Sequence, residues 1–220
     1  MGILNFSSCT YEIIFVILNF VVGMNIFFAY SQPAPTRTSC PLDFQVSFFG
    51  NISSCEGGDW GGFLPSNCCG VAFDVYLHAL GQAASNTGQI FLDGGDQTKC
   101  VTSLKSFDGN VTGCGFERLT RGGGGCSQFS MADVESNLGH ESTSLENDCT
   151  YSSNDEQDWN QVCSNCMKSW EDMKGSSKHG GEVEKTESDV CRFAVLVSLI
   201  SKRIADRRWA QSVYRCLGAL

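Results

Sequence analysis

The sequence predicts a mainly α, disulfide-rich helical domain with long Gly-rich loops. Three observations carry that expectation. Apolar residues recur at three- and four-residue intervals in several segments, the spacing of one helix face. Cysteine is abundant, with 13 in 220 residues. The 24 glycines crowd into stretches that separate the periodic segments. A chain of this length can bury one sizeable core or two small ones.

Residues 1–31 stand apart. They hold no Lys or Arg, a single acid (Glu12), and an apolar run from Ile13 to Tyr30, with the small residues Ala29 and Ser31 at its end. This reads as a cleaved signal peptide over 1–31. An uncleaved signal-anchor is the second reading, because a positive leading segment is missing and Asn19 and Asn25 interrupt the run. Residues 32–39 form a short Pro-containing leader, and the folded domain is expected over 40–220.

Removing 1–31 takes away Cys9 and leaves an even set: Cys40, Cys55, Cys68, Cys69, Cys100, Cys114, Cys126, Cys149, Cys163, Cys166, Cys191 and Cys216. Behind an export signal, such a set is expected to form a framework of disulfides. Two sequons, Asn51-Ile52-Ser53 and Asn110-Val111-Thr112, make Asn51 and Asn110 candidate glycosylation sites.

Taken in order, the elements are as follows. Trp60 and Phe63 lie in a turn-rich opening segment after Cys40. Ser66-Asn67 offers an N-cap for a helix over 68–86, whose stripe is Ala72, Val75, Tyr76, Ala79, Leu80 and Ala83. Asn86-Thr87-Gly88 ends it. A helix over 93–107 would have Asp93 or Asp96 near its cap and Cys100 and Leu104 inside. Residues 108–126 read as a glycine-rich loop, Ser130 as the cap of a short helix Met131–Leu138, and 139–157 as polar sequence tethered at Cys149. Trp159, Val162, Cys163, Cys166, Met167, Trp170 and Met173 define one face of a helix over 158–174. Gly175–Lys185 reads as a mobile linker. Thr186 and Asp189 resemble a capping box opening the longest helix, 187–209, with Cys191 in its first turn and Phe193, Leu196, Val197, Ile200 and Ile204 on one face. Its apolar centre is too short to cross a bilayer.

The Cys163-Ser164-Asn165-Cys166 pair admits three readings. A redox site needs the pair at a helix N-terminus after a buried strand. A zinc site needs a second pair at ligand spacing. Neither context is present, so two structural disulfides leaving one helix are favoured, with Cys163 and Cys166 reaching Cys191 or the N-terminal cysteines rather than each other.

The remaining residues carry no catalytic constellation. His78, His140 and His179 are scattered, and His78 reads as a structural or surface imidazole. The run Gly122–Gly125 lacks the Lys-Ser/Thr of a phosphate loop, and no serine has the Gly-x-Ser-x-Gly setting of a nucleophile elbow. The chain is therefore expected not to be an enzyme and to need no cofactor and no metal. A net charge of −9 argues against a nucleic-acid partner. The clustered basic residues Lys202-Arg203 and Arg207-Arg208 read as a solvated helix face or as complements to a helix C-terminus.

With the cysteines placed, the chain resembles the SPARK domain of plants. The matching features are the opening Cys40-Pro-Leu-Asp-Phe44, Cys55 about fifteen residues on, Asn67-Cys68-Cys69 opening a helix, Cys163-Ser-Asn-Cys166, and Cys191 leading the apolar helix Cys191–Ile200. The resemblance covers roughly residues 40–216. It implies a cysteine-rich extracellular domain of the kind found in receptor-like kinases and GPI-anchored surface proteins, involved in signal perception. Its partner would be an unknown extracellular ligand or co-receptor. It implies no catalytic residues. No membrane helix and no kinase motif follows the domain here, so the chain reads as a fragment, a truncated product or a secreted form. A membrane enters only through a downstream segment or an uncleaved signal anchor. The alternative is a secreted lipid-transfer-like helical protein with an apolar ligand, although the expected Cys-x-Cys after the paired cysteines is missing. Trp60 and Phe63 are candidate ligand contacts, with core packing as their other reading.

Overall fold

The structure, a computed structural model, describes residues 39–44, 60, 63–64, 69–107, 113–115, 118–119, 125–151, 156–173 and 182–218. The chain divides into a unit Met1–Thr38 and a unit Ser39–Leu220, and every described residue belongs to the second. The expected signal peptide, the leader as far as residue 38, Cys55, Cys68, Asn51, Asn110, His179 and residues 175–181 of the expected linker lie outside the described residues.

Among the described residues there are seven helices: α1 (Gly70–Thr87), α2 (Gly94–Phe107), α3 (Met131–Asn137), α4 (Gly139–Asp148), α5 (Glu156–Asp172), α6 (Glu182–Lys202) and α7 (Arg207–Gly218). The one pairing of extended backbone described is an isolated antiparallel bridge between Gln89 and Ser130. The fold is mainly α and cross-linked by disulfides, as the periodicity and cysteine count lead one to expect.

The core is built on α1 and α6. Phe73, Val75, Tyr76, Leu77, Ala79, Leu80 and Ala84 of α1 are buried, as are Phe193 to Ile200 of α6. Each large apolar side chain so buried contributes about 1.5–3 kcal/mol. The two helices approach closely at Gly81, where an added Cβ would lie 2.6 Å from Ile200 Cγ2 and 3.4 Å from the Ser201 backbone nitrogen. α1 ends at Gly88, whose φ is 72° and whose N–H donates to the Ala84 carbonyl at 2.8 Å. Glycine takes that left-handed conformation without a Cβ penalty.

Local capping fixes α2 and α3. Asp93 Oδ1 accepts from the backbone N–H groups of Gly95 and Asp96, both at 2.8 Å. Cys100 and Leu104 are fully buried on the inner face, and the Tyr76 hydroxyl donates to Gln97 Oε1 at 2.9 Å, tying α2 to α1. Ser130 and Asp133 form a capping box, with Asp133 N–H donating to Ser130 Oγ and Ser130 N–H donating to Asp133 Oδ2.

Beyond shifts of one or two residues at other helix ends, three features depart from the sequence expectation. α4 forms in a stretch, 139–157, read only as polar sequence tethered at Cys149, with no helix assigned. It has one apolar side chain, Leu145, and buries it together with Ser142, so its helicity comes from packing on α3, α5 and α6 rather than from a repeated stripe. α6 begins at Glu182, four residues before Thr186, so Thr186 lies within the helix and does not cap it. The expected single helix 187–209 is two. α6 stops at Lys202, residues 203–206 turn, and Asp206 Oδ1 accepts from the Trp209 N–H at 3.1 Å to start α7. α7 then turns Trp209, Val213, Tyr214 and Leu217 into the core. No helix among the described residues is long and apolar enough to cross a membrane.

Candidate functional site

Sulfur chemistry comes first, because it decides whether the cysteines can act on anything else. Five disulfides join Cys40 to Cys100, Cys69 to Cys114, Cys126 to Cys191, Cys149 to Cys166, and Cys163 to Cys216. Every cysteine among the described residues is therefore bonded. Cys163 and Cys166 bond different partners, as the helical face suggested, but those partners are Cys216 and Cys149, not Cys191 or the N-terminal cysteines. The reason is geometric. α5 packs on both α4 and α7, so sulfurs one turn apart reach Cys216 on α7 and Cys149 at the C-cap of α4, with Cα separations of 5.1 Å and 4.5 Å. Cys191, ten residues into α6, meets Cys126 instead. Beside that bond, Gly125 N–H donates to Glu187 Oε1 at 2.9 Å. Among the described residues no group of His, Cys, Asp and Glu could hold a metal ion.

The two aromatic residues considered for ligand contact lie in the core. Trp60 is fully buried and Phe63 is 5% exposed, so neither presents a face to solvent, because both rings fill the space between α1, α5, α6 and α7. Trp60 meets Phe73 edge-on at 5.0 Å between centroids, Tyr214 at 5.9 Å and Trp170 at 6.5 Å. Phe63 meets Trp170 at 5.2 Å. Trp60 has φ +56°, an uncommon conformation for a bulky residue. Its ring lies against the Gly218 backbone, where a Cβ would come within 3.3 Å of the indole nitrogen.

Two polar groups are set among these rings, and neither was singled out from the sequence. Asp74 of α1 accepts a hydrogen bond from Trp60 Nε1 at 3.1 Å. Burial raises its pKa well above the ordinary carboxylate range, against the smaller lowering effect of the indole N–H. Burial likewise raises the Tyr214 hydroxyl, with the Asp74 charge adding to it. Arg192 of α6 is 2% exposed. Its guanidinium lies 4.5 Å from the Trp170 ring centroid and 5.1 Å from that of Phe63, and it forms an ion pair with Asp189 one turn back. Its Nε and Nη1 have no hydrogen-bond partner among the described residues. A cation at the head of an apolar run, directly after Cys191, was the one visible signal of this cluster in the sequence.

On the outside, the break between α6 and α7 changes the reading of the basic residues. Lys202 and Arg203 close α6 and pair with acids: Lys202 with Glu135 at 3.8 Å, and Arg203 with Glu146 at 3.1 Å and Asp206 at 2.9 Å. Arg207 and Arg208 open α7 and so do not complement a helix C-terminus; both are exposed, in keeping with the other reading, a solvated helix face. Arg215, further along α7, lies 4.6 Å above the half-buried Trp159 ring of α5, and Tyr151 meets that ring edge-on at 5.2 Å. His78, half-buried near Arg207, has its pKa lowered by burial and then by the Arg207 charge. His140 is exposed on α4.

A protein-family model described as SPARK matches residues 34–192. No curated protein and no solved structure gives a match.

Proposed function

Because the chain belongs to the SPARK family, a cysteine-rich extracellular domain of plants, we propose that it is a non-catalytic recognition module. It would bind a ligand or co-receptor at the cell surface or in the extracellular space. The observation that carries this reading is the sulfur framework. Every described cysteine is committed to a cross-link between segments far apart in the chain, which fits an oxidising compartment and leaves no described thiol for catalysis or metal. A signal peptide over 1–31 and glycans on Asn51 and Asn110 belong to the same proposal. The match ends inside α6, short of the Cys216 expected from the cysteine order.

The alternative, a lipid-transfer-like carrier, requires an apolar cavity between the helices. The rings of Trp60, Phe63, Phe73, Trp170 and Phe193 occupying that interior support the recognition reading over the carrier.

The test uses oxidised, fluorescently labelled domain on intact plant cells, with a fluorescent fatty acid titrated in parallel. The proposal expects saturable surface staining that unlabelled domain competes away and that reduction abolishes, with no saturable fatty-acid binding. Absence of staining, or micromolar fatty-acid binding displaced by lipid, would overturn it.

A further inference from the structure

α7 carries a cationic ridge on a chain whose net charge is −9. Arg207, Arg208, Gln211 and Arg215 are all exposed, and at 100° per residue they fall within one arc of about 100°. The side chains opposite, Trp209, Val213 and Leu217, are buried, so the ridge points outward.

Two arginines of the ridge, Arg208 and Arg215, stand outside the ion pairs formed among the described residues, in contrast to Lys202 and Arg203 just before them. Arg207 and Arg208 occupy the first turn of α7, where the helix dipole disfavours positive charge, and the acid that caps this turn, Asp206, pairs with Arg203. Arg215 is held in place from below. Its guanidinium lies over Trp159, and the next residue, Cys216, is bonded to Cys163 of the same helix as Trp159.

We propose that this ridge, with Trp159 and Tyr151 at its Arg215 end, is the face that docks an acidic segment of a protein partner. It rests on the recognition reading and supplies that reading's contact surface and partner chemistry. Arg, Trp and Tyr together are the side chains most enriched at the energetic centres of protein interfaces. A protein segment is favoured over an extended polyanion by charge range. A bilayer or long acidic glycan would also meet the rest of this anionic molecule, whereas a short segment stays within the roughly 8–10 Å over which the ridge's field acts at physiological salt. The family match ends at residue 192, before α7 begins, so the ridge lies outside the matched stretch.

The probe is a short fluorescein-labelled Asp- and Glu-rich peptide, titrated by anisotropy against the oxidised domain at low and physiological salt. Phosphatidylserine vesicles and polygalacturonate form the parallel arms. The triple variant Arg207→Gln, Arg208→Gln, Arg215→Gln is compared with a control of equal charge change at exposed sites elsewhere: Lys105→Gln, Arg118→Gln, Lys168→Gln. Saturable peptide binding that falls about tenfold in the ridge variant and less than about twofold in the control supports the proposal. No peptide binding, an equal loss in both triples, or binding confined to vesicles or polygalacturonate overturns it. A second readout is the melting temperature of Arg208→Gln, which should hold or rise. A fall of several degrees would assign the arginine to stability and overturn the docking role. Cell staining that survives in the ridge triple would remove this face while leaving the recognition reading intact.

Discussion

Gly81 of α1 and Ile200 of α6 are packed so closely that no side chain fits between them, a Cβ at Gly81 falling 2.6 Å from Ile200 Cγ2. The contact belongs to the most extensively packed helix pair, near the C-terminal end of α6. Gly81→Ala should therefore cost about 1–3 kcal/mol, the usual effect of overpacking, despite alanine's better helix propensity. Thermal melts would measure it. In an Ile200→Ala background the same change should cost less, and additive costs in the double-mutant cycle would mean the clash is relieved elsewhere.

Asp74 makes stability depend on pH in an unusual direction. Its folded pKa is raised, chiefly by burial, so the folded state favours the neutral acid. Its contribution is intact below the ordinary carboxylate pKa and is lost as pH rises toward the raised folded value. Asp74→Asn keeps an acceptor for Trp60 Nε1 and should flatten that decline. Asp74→Leu, which strands the indole N–H, should cost about 1–3 kcal/mol at low pH. Melting temperature against pH for the three proteins checks both; an unchanged slope in Asp74→Asn would refute the assignment.

Arg192 and Asp189 should respond asymmetrically to substitution. Arg192→Met exchanges a buried cation for an apolar chain of similar length and leaves a carboxylate whose side chain is 17% exposed. Its effect should lie within about 1 kcal/mol of neutral. Asp189→Ala leaves the guanidinium buried without its anion and should cost about 3 kcal/mol or more. Denaturant melts of both variants, compared at equal m-value, provide the measurement. The reverse order would mean that the cation–ring contacts outweigh the ion pair.

Peptide mapping under non-reducing conditions should recover Cys163 linked to Cys216 and Cys149 linked to Cys166. Paired Cys163→Ser and Cys216→Ser substitutions should lower stability by about 2–4 kcal/mol and selectively raise hydrogen exchange in α7, which that bond ties to α5. A recovered 163–166 bridge would disprove the arrangement.

The helices were legible in the sequence wherever a local signal was strong. Phe193 to Ile200, the stripe through Tyr76 and Leu80, Gly88, and the Ser130 cap each act within one or two turns, so neighbouring residues suffice to read them. α4 was not legible, because one leucine makes no stripe. The stop at Lys202 is not legible, because Ile204 continues the apolar spacing past the end of the helix. There the decisive contact is Asp206 on Trp209 N–H, a cap that any Asp before a polar turn only weakly announces. Trp60 and Phe63 could be exposed or buried by sequence alone, since a turn-rich segment is compatible with both.

What the sequence by itself determined is the set of short-range commitments: helical periodicity, caps and terminators, a surplus of cysteine, and the cysteine order that marks the family. What only the tertiary structure decided is partnership across distance. Which sulfur meets which, that Asp74 lies under Trp60, that Arg192 is enclosed by rings, and that Arg207, Arg208 and Arg215 line one outward face all depend on how helices stack. Helix periodicity states which side of a helix is apolar, but the choice among apolar sides is made by volume and shape at contacts such as Gly81 on Ile200.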